Sequence, residues 1–294
     1  MTQTLPAAVF ETFAKLLKSR SGLVIGPDKL YLLETRLAPL LKQEKLRDLV
    51  ALADRLRSPN AEPMITQVVE AMTTNETFFF RDDKPFHHFR NQALPRLIAA
   101  RPPGTTLRIW SAASASGQEA YSIAMILTEC RASLGDRRIE IIGTDLARAQ
   151  VARAREGLYT QFEVQRGLPI QMLMRYFRKE ENGWRISEAI RGMVHYREWN
   201  LLSDVRPLGQ FDVVFCRNVL IYLDQPTKAK VLEAVAQQMP TDGLLYLGGG
   251  ETVLGITTRF APLPAESGVY GLVTTSAGLA RDPRVPAPAT ASRI

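Results

Sequence analysis

Leu107-Arg-Ile-Trp-Ser-Ala-Ala-Ser-Ala-Ser-Gly-Gln-Glu119 decides how this chain is read. The first five residues form a short apolar strand. A run of small residues follows and opens a helix expected over 118–133. Small side chains let backbone come close to a ligand, and a helix N-terminus offers free N–H donors. A tight strand–helix turn would read the same way. A second strand, Ile139-Glu-Ile-Ile-Gly-Thr144, ends at Asp145, with a helix over 147–155. Further strands are Phe211-Asp-Val-Val-Phe-Cys216 and Gly243-Leu-Leu-Tyr-Leu247, flanking a helix over 226–239. Two short strands are expected near 259–263 and 268–273. This alternation predicts an α/β fold: a parallel sheet with helices on both faces.

In such a sheet, ligands sit beyond the carboxyl ends of the strands. The first loop is not G-x-G-x-x-G, so the dinucleotide fingerprint is absent. Asp145 is placed to accept both hydroxyls of a ribose, although it would also serve as a helix N-cap. A small-residue loop and an acid, with no pyrophosphate cradle, fit S-adenosylmethionine, which has a ribose but no phosphate. After the strand ending at Cys216 stands Arg217-Asn218-Val219. Enzymes that methylate base amino groups often carry Asn/Asp-Pro-Pro-aromatic there, so its absence speaks against a nucleic-acid substrate. Gly248-Gly-Gly-Glu251 lacks the Lys-Ser/Thr of a phosphate loop. His87 and His88 are adjacent and leave a helix on different sides, a poor metal pair. His195 is an isolated histidine, read as structural. Cys130 and Cys216 cannot build a disulfide framework, and no metal site is expected.

The 294 residues are 46% hydrophobic and 23% charged, enough apolar material for a packed core and against general disorder. The segment 1–74 reads as a helical domain. Val9, Phe10, Phe13, Leu16 and Leu17 recur at helical spacing. Leu30, Leu33, Leu37, Leu40 and Leu41 do the same, with Pro39 expected to bend or shorten that helix. Segments 75–100 and 101–275 read as a linker with its helix and as the α/β domain. A small β insertion is expected over 166–198, with strands at Trp184-Arg-Ile186 and Val194-His-Tyr-Arg197. The Ala/Pro-rich stretch 276–294 reads as a disordered tail. No stretch reaches the roughly 20 apolar residues of a membrane span, and no signal peptide is evident. A cytoplasmic protein without membrane insertion is expected. Net charge is +7. Residues 1–58 carry ten Lys/Arg against six Asp/Glu. That surplus is either a solvated surface or a docking face for an acidic partner.

Five blocks occur in order: Thr74-Asn-Glu-Thr-Phe-Phe-Phe-Arg81, Trp110-Ser-Ala-Ala-Ser-Ala-Ser-Gly-Gln-Glu119, Gly143-Thr-Asp145, Asn200-Leu-Leu202 and Phe215-Cys-Arg-Asn-Val-Leu-Ile-Tyr222. Over residues 7–273 the chain resembles the bacterial chemotaxis receptor glutamate methyltransferases, the CheR family. The resemblance implies an all-α N-terminal domain before a class I S-adenosylmethionine-dependent, Rossmann-like methyltransferase domain with a small antiparallel β subdomain. It implies a protein-glutamate O-methyltransferase that forms methyl esters on chemoreceptor (methyl-accepting chemotaxis protein) cytoplasmic helices. S-adenosylhomocysteine is then the product. Carried over by position, the cofactor contacts are Asn75, Thr77, Arg81, Glu119, Asp145, Asn200, Leu201, Arg217 and Asn218. Arg81 and Tyr222 would lie near the transferred methyl. Lys42, Lys45 and Arg47 would dock the acidic receptor helix. The chain departs from the common pattern at Ser114 (often Cys), Ala120 (often Pro), Gly249-Gly250 (often His/Ala-Ser) and near Pro39 (often a further Arg). The turn Arg178-Lys-Glu-Glu-Asn-Gly-Trp184 is short, so binding of a receptor's C-terminal pentapeptide is not expected.

A glutamate with a reference pKa of about 4.3 is already ionised at pH 7. Methylating it needs alignment and exclusion of water rather than a general base. Two rivals remain: an S-adenosylmethionine-binding sensor without turnover, and a methyltransferase acting on nucleic acid or another protein.

Overall fold

The computed structural model describes residues 5–264 and 266–273. The residues read as a tail, 276–294, lie outside them. Four helices open the chain: α1 (Ala7–Ser21), α2 (Leu30–Gln43), α3 (Leu49–Arg55) and α4 (Glu62–Met72). Gly22 ends α1 in the left-handed conformation, at φ 76°. Asp48 caps α3 by accepting the Ala51 N–H. Phe13, Leu17, Leu33, Leu37, Leu52 and Val68 are fully buried between these helices. Pro39 does not shorten α2, which runs through it to Gln43.

The chain then follows α5 (Lys84–His88), a π-turn (Phe89–Ala93) and α6 (Leu94–Ala100). The wide turn lies just before Pro95, whose ring nitrogen cannot donate to the helix ladder. Next come β1 (Thr106–Ala112), α7 (Gln118–Glu129), α8 (Arg131–Leu134), β2 (Arg138–Asp145), α9 (Arg148–Glu156) and β3 (Leu158–Tyr159). They are followed by α10 (Gln161–Gln165), α11 (Ile170–Tyr176), β4 (Phe177–Glu180), β5 (Gly183–Ile186), α12 (Glu188–Arg191) and β6 (Val194–Glu198). The chain continues through β7 (Val213–Phe215), α13 (Gln225–Gln237), β8 (Leu244–Tyr246), β9 (Phe260–Pro262) and β10 (Val269–Leu272).

Seven strands form the main sheet in the order β6-β2-β1-β7-β8-β10-β9. The first five are parallel; β10 is antiparallel to both β8 and β9. The sheet is therefore mixed rather than wholly parallel. Alternate residues feed two cores: Ile109, Ile141, Val213 and Phe215 on one face, Trp110, Ile142 and Val214 on the other. The strand order reverses at β1, which opens a crevice beyond the carboxyl ends of β1 and β7.

The small sheet is β3-β5-β4, antiparallel throughout. Val194-His-Tyr-Arg197, read with the insertion, belongs instead to the main sheet, where β6 pairs in parallel with β2. Short apolar strands carry no sequence mark of which sheet they join. His195 lies exposed on that edge strand, so it has no part in the core.

Two contacts bring the helical domain against the crevice. Leu23 forms an antiparallel bridge with Leu223, and the Val24 N–H donates to the Tyr222 carbonyl at 3.0 Å. The Lys18 ammonium lies 2.7 Å from the Asp224 carboxylate.

Candidate active site

The crevice is a cleft of about 1050 Å³ measured out to its open mouth. One wall is the segment 73–77 with Arg81, and another is the loop Ala113–Ala115. Asp145, Leu146 and 199–202 close one end, and 217–219 with Tyr222 close the other. Ser21 and Leu23 of the helical domain form part of its rim. All of Asn75, Thr77, Arg81, Glu119, Asp145, Asn200, Leu201, Arg217, Asn218 and Tyr222 line this one cleft. Lys42, Lys45 and Arg47 do not; they are exposed around the end of α2.

The cleft walls are held in unusual backbone shapes. Ala113, Ala115 and Asn218 have φ of 59°, 45° and 59°, left-handed values that cost free energy for residues with a Cβ. The loop after β1 keeps its shape through the Ser114 N–H, which donates to the Thr144 carbonyl at 2.8 Å. The Ala115 N–H donates to Asp145 at 2.8 Å. Asp145 also accepts the Ala147 N–H at 2.9 Å, so its carboxylate ties two loops together while facing the cleft. Each oxygen keeps a further lone pair for a ligand hydroxyl. Burial pushes its pKa up, against the pull of these backbone N–H groups.

Arg217 is 1% exposed and holds three acceptors. It donates to Glu119 at 3.0 Å, to Asp82 at 2.7 Å and to the Arg81 carbonyl at 2.8 Å. Glu119 also accepts the Ser111 hydroxyl at 2.8 Å. Burial pushes the Glu119 carboxyl upward, and Arg217 and Ser111 oppose it. Arg217 thus clamps the turn after the phenylalanine triplet to the start of α7. Phe79 and Phe80 of that triplet are core; Phe78 is half-buried, between Arg81 at 5.5 Å and Arg166 at 4.2 Å from its ring centroid. The Arg81 guanidinium donates to the Glu76 carbonyl at 2.7 Å. Asn200 donates to the Arg20 carbonyl at 2.6 Å and accepts the Leu202 N–H, joining the cleft end to α1.

Glu251, set aside with its glycines in the sequence reading, is buried and supports the site. Its carboxylate accepts the N–H groups of Asn218, Val219, Ile221 and Gly248. The signal available in sequence was a lone acid just past a strand end, masked by comparison with phosphate loops.

Two family models match this chain: "CheR methyltransferase, all-alpha domain" over residues 8–73 and "CheR methyltransferase, SAM binding domain" over residues 75–269. The chain belongs to the CheR methyltransferase family. It is 38% identical over 264 residues to "Chemotaxis protein methyltransferase Cher2" of Pseudomonas putida, covering 88% of this chain and 96% of that protein. It is 38% identical over 266 residues to "Chemotaxis protein methyltransferase 1" of Pseudomonas aeruginosa, covering 89% and 96%. It is 36% identical over 264 residues to "Chemotaxis protein methyltransferase" of Vibrio parahaemolyticus, covering 88% and 94%.

This CheR-family chain is thus an S-adenosylmethionine-dependent methyltransferase of the chemotaxis class. The cleft residues fit that donor. Small residues wall one side, and the Ser114 hydroxyl, on the lining, is buried without a partner among the described residues. Carboxylates for hydroxyl and ammonium groups stand in the same cleft as a guanidinium and side-chain amides for a carboxylate. Among the described residues no helix is long and apolar enough to cross a membrane.

Proposed function

We propose that this protein moves a methyl group from S-adenosylmethionine to glutamate side chains on the cytoplasmic helices of chemoreceptors, working in the cytoplasm. One observation carries the choice of acceptor. Among the described residues no His, Cys or Lys lines the cleft. Of its carboxylates, Asp145 is held by backbone N–H groups and Glu119 by Arg217 and Ser111, while Glu76 pairs with Arg166 at 2.6 Å. An amine or hydroxyl acceptor must lose a proton around transfer, and no free base stands ready to take it. A carboxylate arrives already ionised.

When bound, the donor supplies an electrophilic methyl on a positively charged sulfur. The protein then has to hold that centre and a carboxylate oxygen in line, about 3–3.5 Å apart. Charge diminishes on both partners as the methyl moves. A cation clamped on the nucleophilic oxygen would stabilise the ground state more than the transition state. Arg81 is therefore assigned to the donor's carboxylate at the cleft edge, and Tyr222 to orienting the acceptor by a hydrogen bond. Asp145 takes the ribose, with Asn75, Thr77, Glu119, Asn200, Leu201, Arg217 and Asn218 completing the donor site.

The basic end of α2, with Lys42, Lys45 and Arg47, is assigned to the acidic receptor helix. Pentapeptide independence is supported by the β4–β5 hairpin. Glu180 pairs with Gly183, so the chain turns through Glu181 and Asn182 alone. Each ester removes one negative charge from the receptor, which biases its signalling equilibrium.

The test supplies tritiated-methyl S-adenosylmethionine and receptor-containing membranes. Label released as methanol by mild base identifies an ester; base-stable label, or none, overturns the assignment.

A further inference from the structure

Behind the loop after β1 lie two buried tyrosines that do not line the cleft. The Tyr159 hydroxyl donates to the Ser116 carbonyl at 2.8 Å, and the Tyr196 hydroxyl donates to the Gly117 carbonyl at 3.1 Å. Tyr159 is 1% exposed and Tyr196 5%. These carbonyls belong to the two residues between Ala115, at φ 45°, and the first turn of α7. The backbone there is held in a shape it would not keep alone, so something outside the loop must impose it.

Tyr159 is on β3, a strand of the small sheet. Its ring packs edge-on against Phe79 at 5.0 Å between centroids, and against Phe177 of β4 at 6.3 Å. Opposite it, β5 approaches closely through Gly183. A Cβ at that position would come within 2.4 Å of the Tyr159 carbonyl. One side chain thus touches both cleft walls: the segment 73–81 through Phe79, and the loop after β1 through Ser116. Burial raises the pKa of both phenols well above the ordinary value, so the hydroxyls stay protonated donors.

We propose that Tyr159 and Tyr196 are positioning residues that hold the loop after β1 in its donor-binding shape, and that the small sheet serves the donor site by carrying Tyr159. Neither touches the donor; both act through the backbone of Ser116 and Gly117. This gives the small sheet a task apart from any contact with a receptor. It is independent of which acceptor is methylated.

The test is Tyr159→Phe, which keeps the ring and its packing but removes the donor hydroxyl. Titration calorimetry with S-adenosylhomocysteine is expected to show about tenfold weaker binding, the scale of one hydrogen bond. Amide exchange at Ser116 and Gly117 in the ligand-free protein is expected to quicken. The control is Tyr246→Phe, which removes an equally buried hydroxyl bonded to His88 at 2.8 Å, away from the cleft. It is expected to lower the melting temperature and leave affinity unchanged. Equal losses of melting temperature with unchanged affinity in both variants would make Tyr159 merely structural and overturn the proposal. If Tyr159→Phe does not fold, Tyr196→Phe carries the same readouts, and unchanged affinity and exchange there overturn it as well.

Discussion

The Glu251 carboxylate accepts the backbone N–H of Asn218 at 2.8 Å, and so fixes a left-handed residue at the carboxyl end of β7. The same carboxylate accepts Val219 at 2.9 Å and Gly248 at 2.7 Å. Glu251→Gln would turn an amide donor toward N–H groups. Losing charge-assisted bonds of this kind costs about 2–4 kcal/mol. The expected outcome is a lower melting temperature together with S-adenosylhomocysteine binding weakened at least tenfold, read by calorimetry. Unchanged affinity would mean that Asn218 keeps its place without Glu251.

His88 faces the Tyr246 hydroxyl from inside the core, and desolvation holds its pKa below the ordinary histidine value. Glu266 pulls that pKa up and Arg96 pushes it down, both less than burial does. Tyr246, pushed up by burial, stays protonated, and its hydroxyl shares a hydrogen bond with the His88 Nδ1. Between the folded and unfolded pKa values the unfolded chain binds more protons, so stability rises with pH through that window. It is fully present above about pH 6.5 and is lost as pH falls toward the depressed folded value. Thermal melts at pH 8 and pH 5 are expected to show a drop that His88→Gln reduces. An equal drop in both proteins would assign the pH sensitivity elsewhere.

Much of the fold was legible because periodicity marks it. The four N-terminal helices carry stripes such as Leu33, Leu37 and Leu40, and the strand from Leu107 runs into small residues that suit a tight turn or a close approach to a ligand. The cleft membership of Asp145 and Asn218 followed from their place after strands. What sequence did not show is backbone conformation and long-range support. Nothing in Ala113 or Ala115 announces a positive φ, since that shape is imposed by Asp145 and by tyrosines distant in the chain. Val194 and its neighbours look alike whether they pair with an insertion or with β2. Arg217 lines the cleft and also holds Glu119, Asp82 and the Arg81 carbonyl, a supporting task that its place after a strand does not announce.

Exposed Lys42, Lys45 and Arg47 lie off the cleft, so they can affect docking without touching the donor site. Reversing all three to Glu is expected to raise KM for receptor severalfold and leave S-adenosylhomocysteine affinity unchanged. The Debye length shortens from about 10 Å at 0.1 M salt to about 3 Å at 1 M, so wild-type methylation should fall with salt and the variant's much less. Loss of receptor methylation and donor affinity together would signal misfolding rather than lost docking.

Tyr222 lines the cleft where the helical domain meets it. Its backbone is secured by the Val24 N–H, and Leu223 beside it bridges Leu23, so the ring's position does not depend on its hydroxyl. Tyr222→Phe should therefore leave the fold and donor affinity as they are. If the hydroxyl orients the attacking carboxylate, its removal should lower kcat by about tenfold, the weight of one hydrogen bond made better in the transition state. A rise in KM for receptor with kcat intact would instead mean that the hydroxyl binds the acceptor equally in ground and transition states. Full turnover at unchanged KM would remove Tyr222 from the reaction and leave alignment to the cleft walls alone.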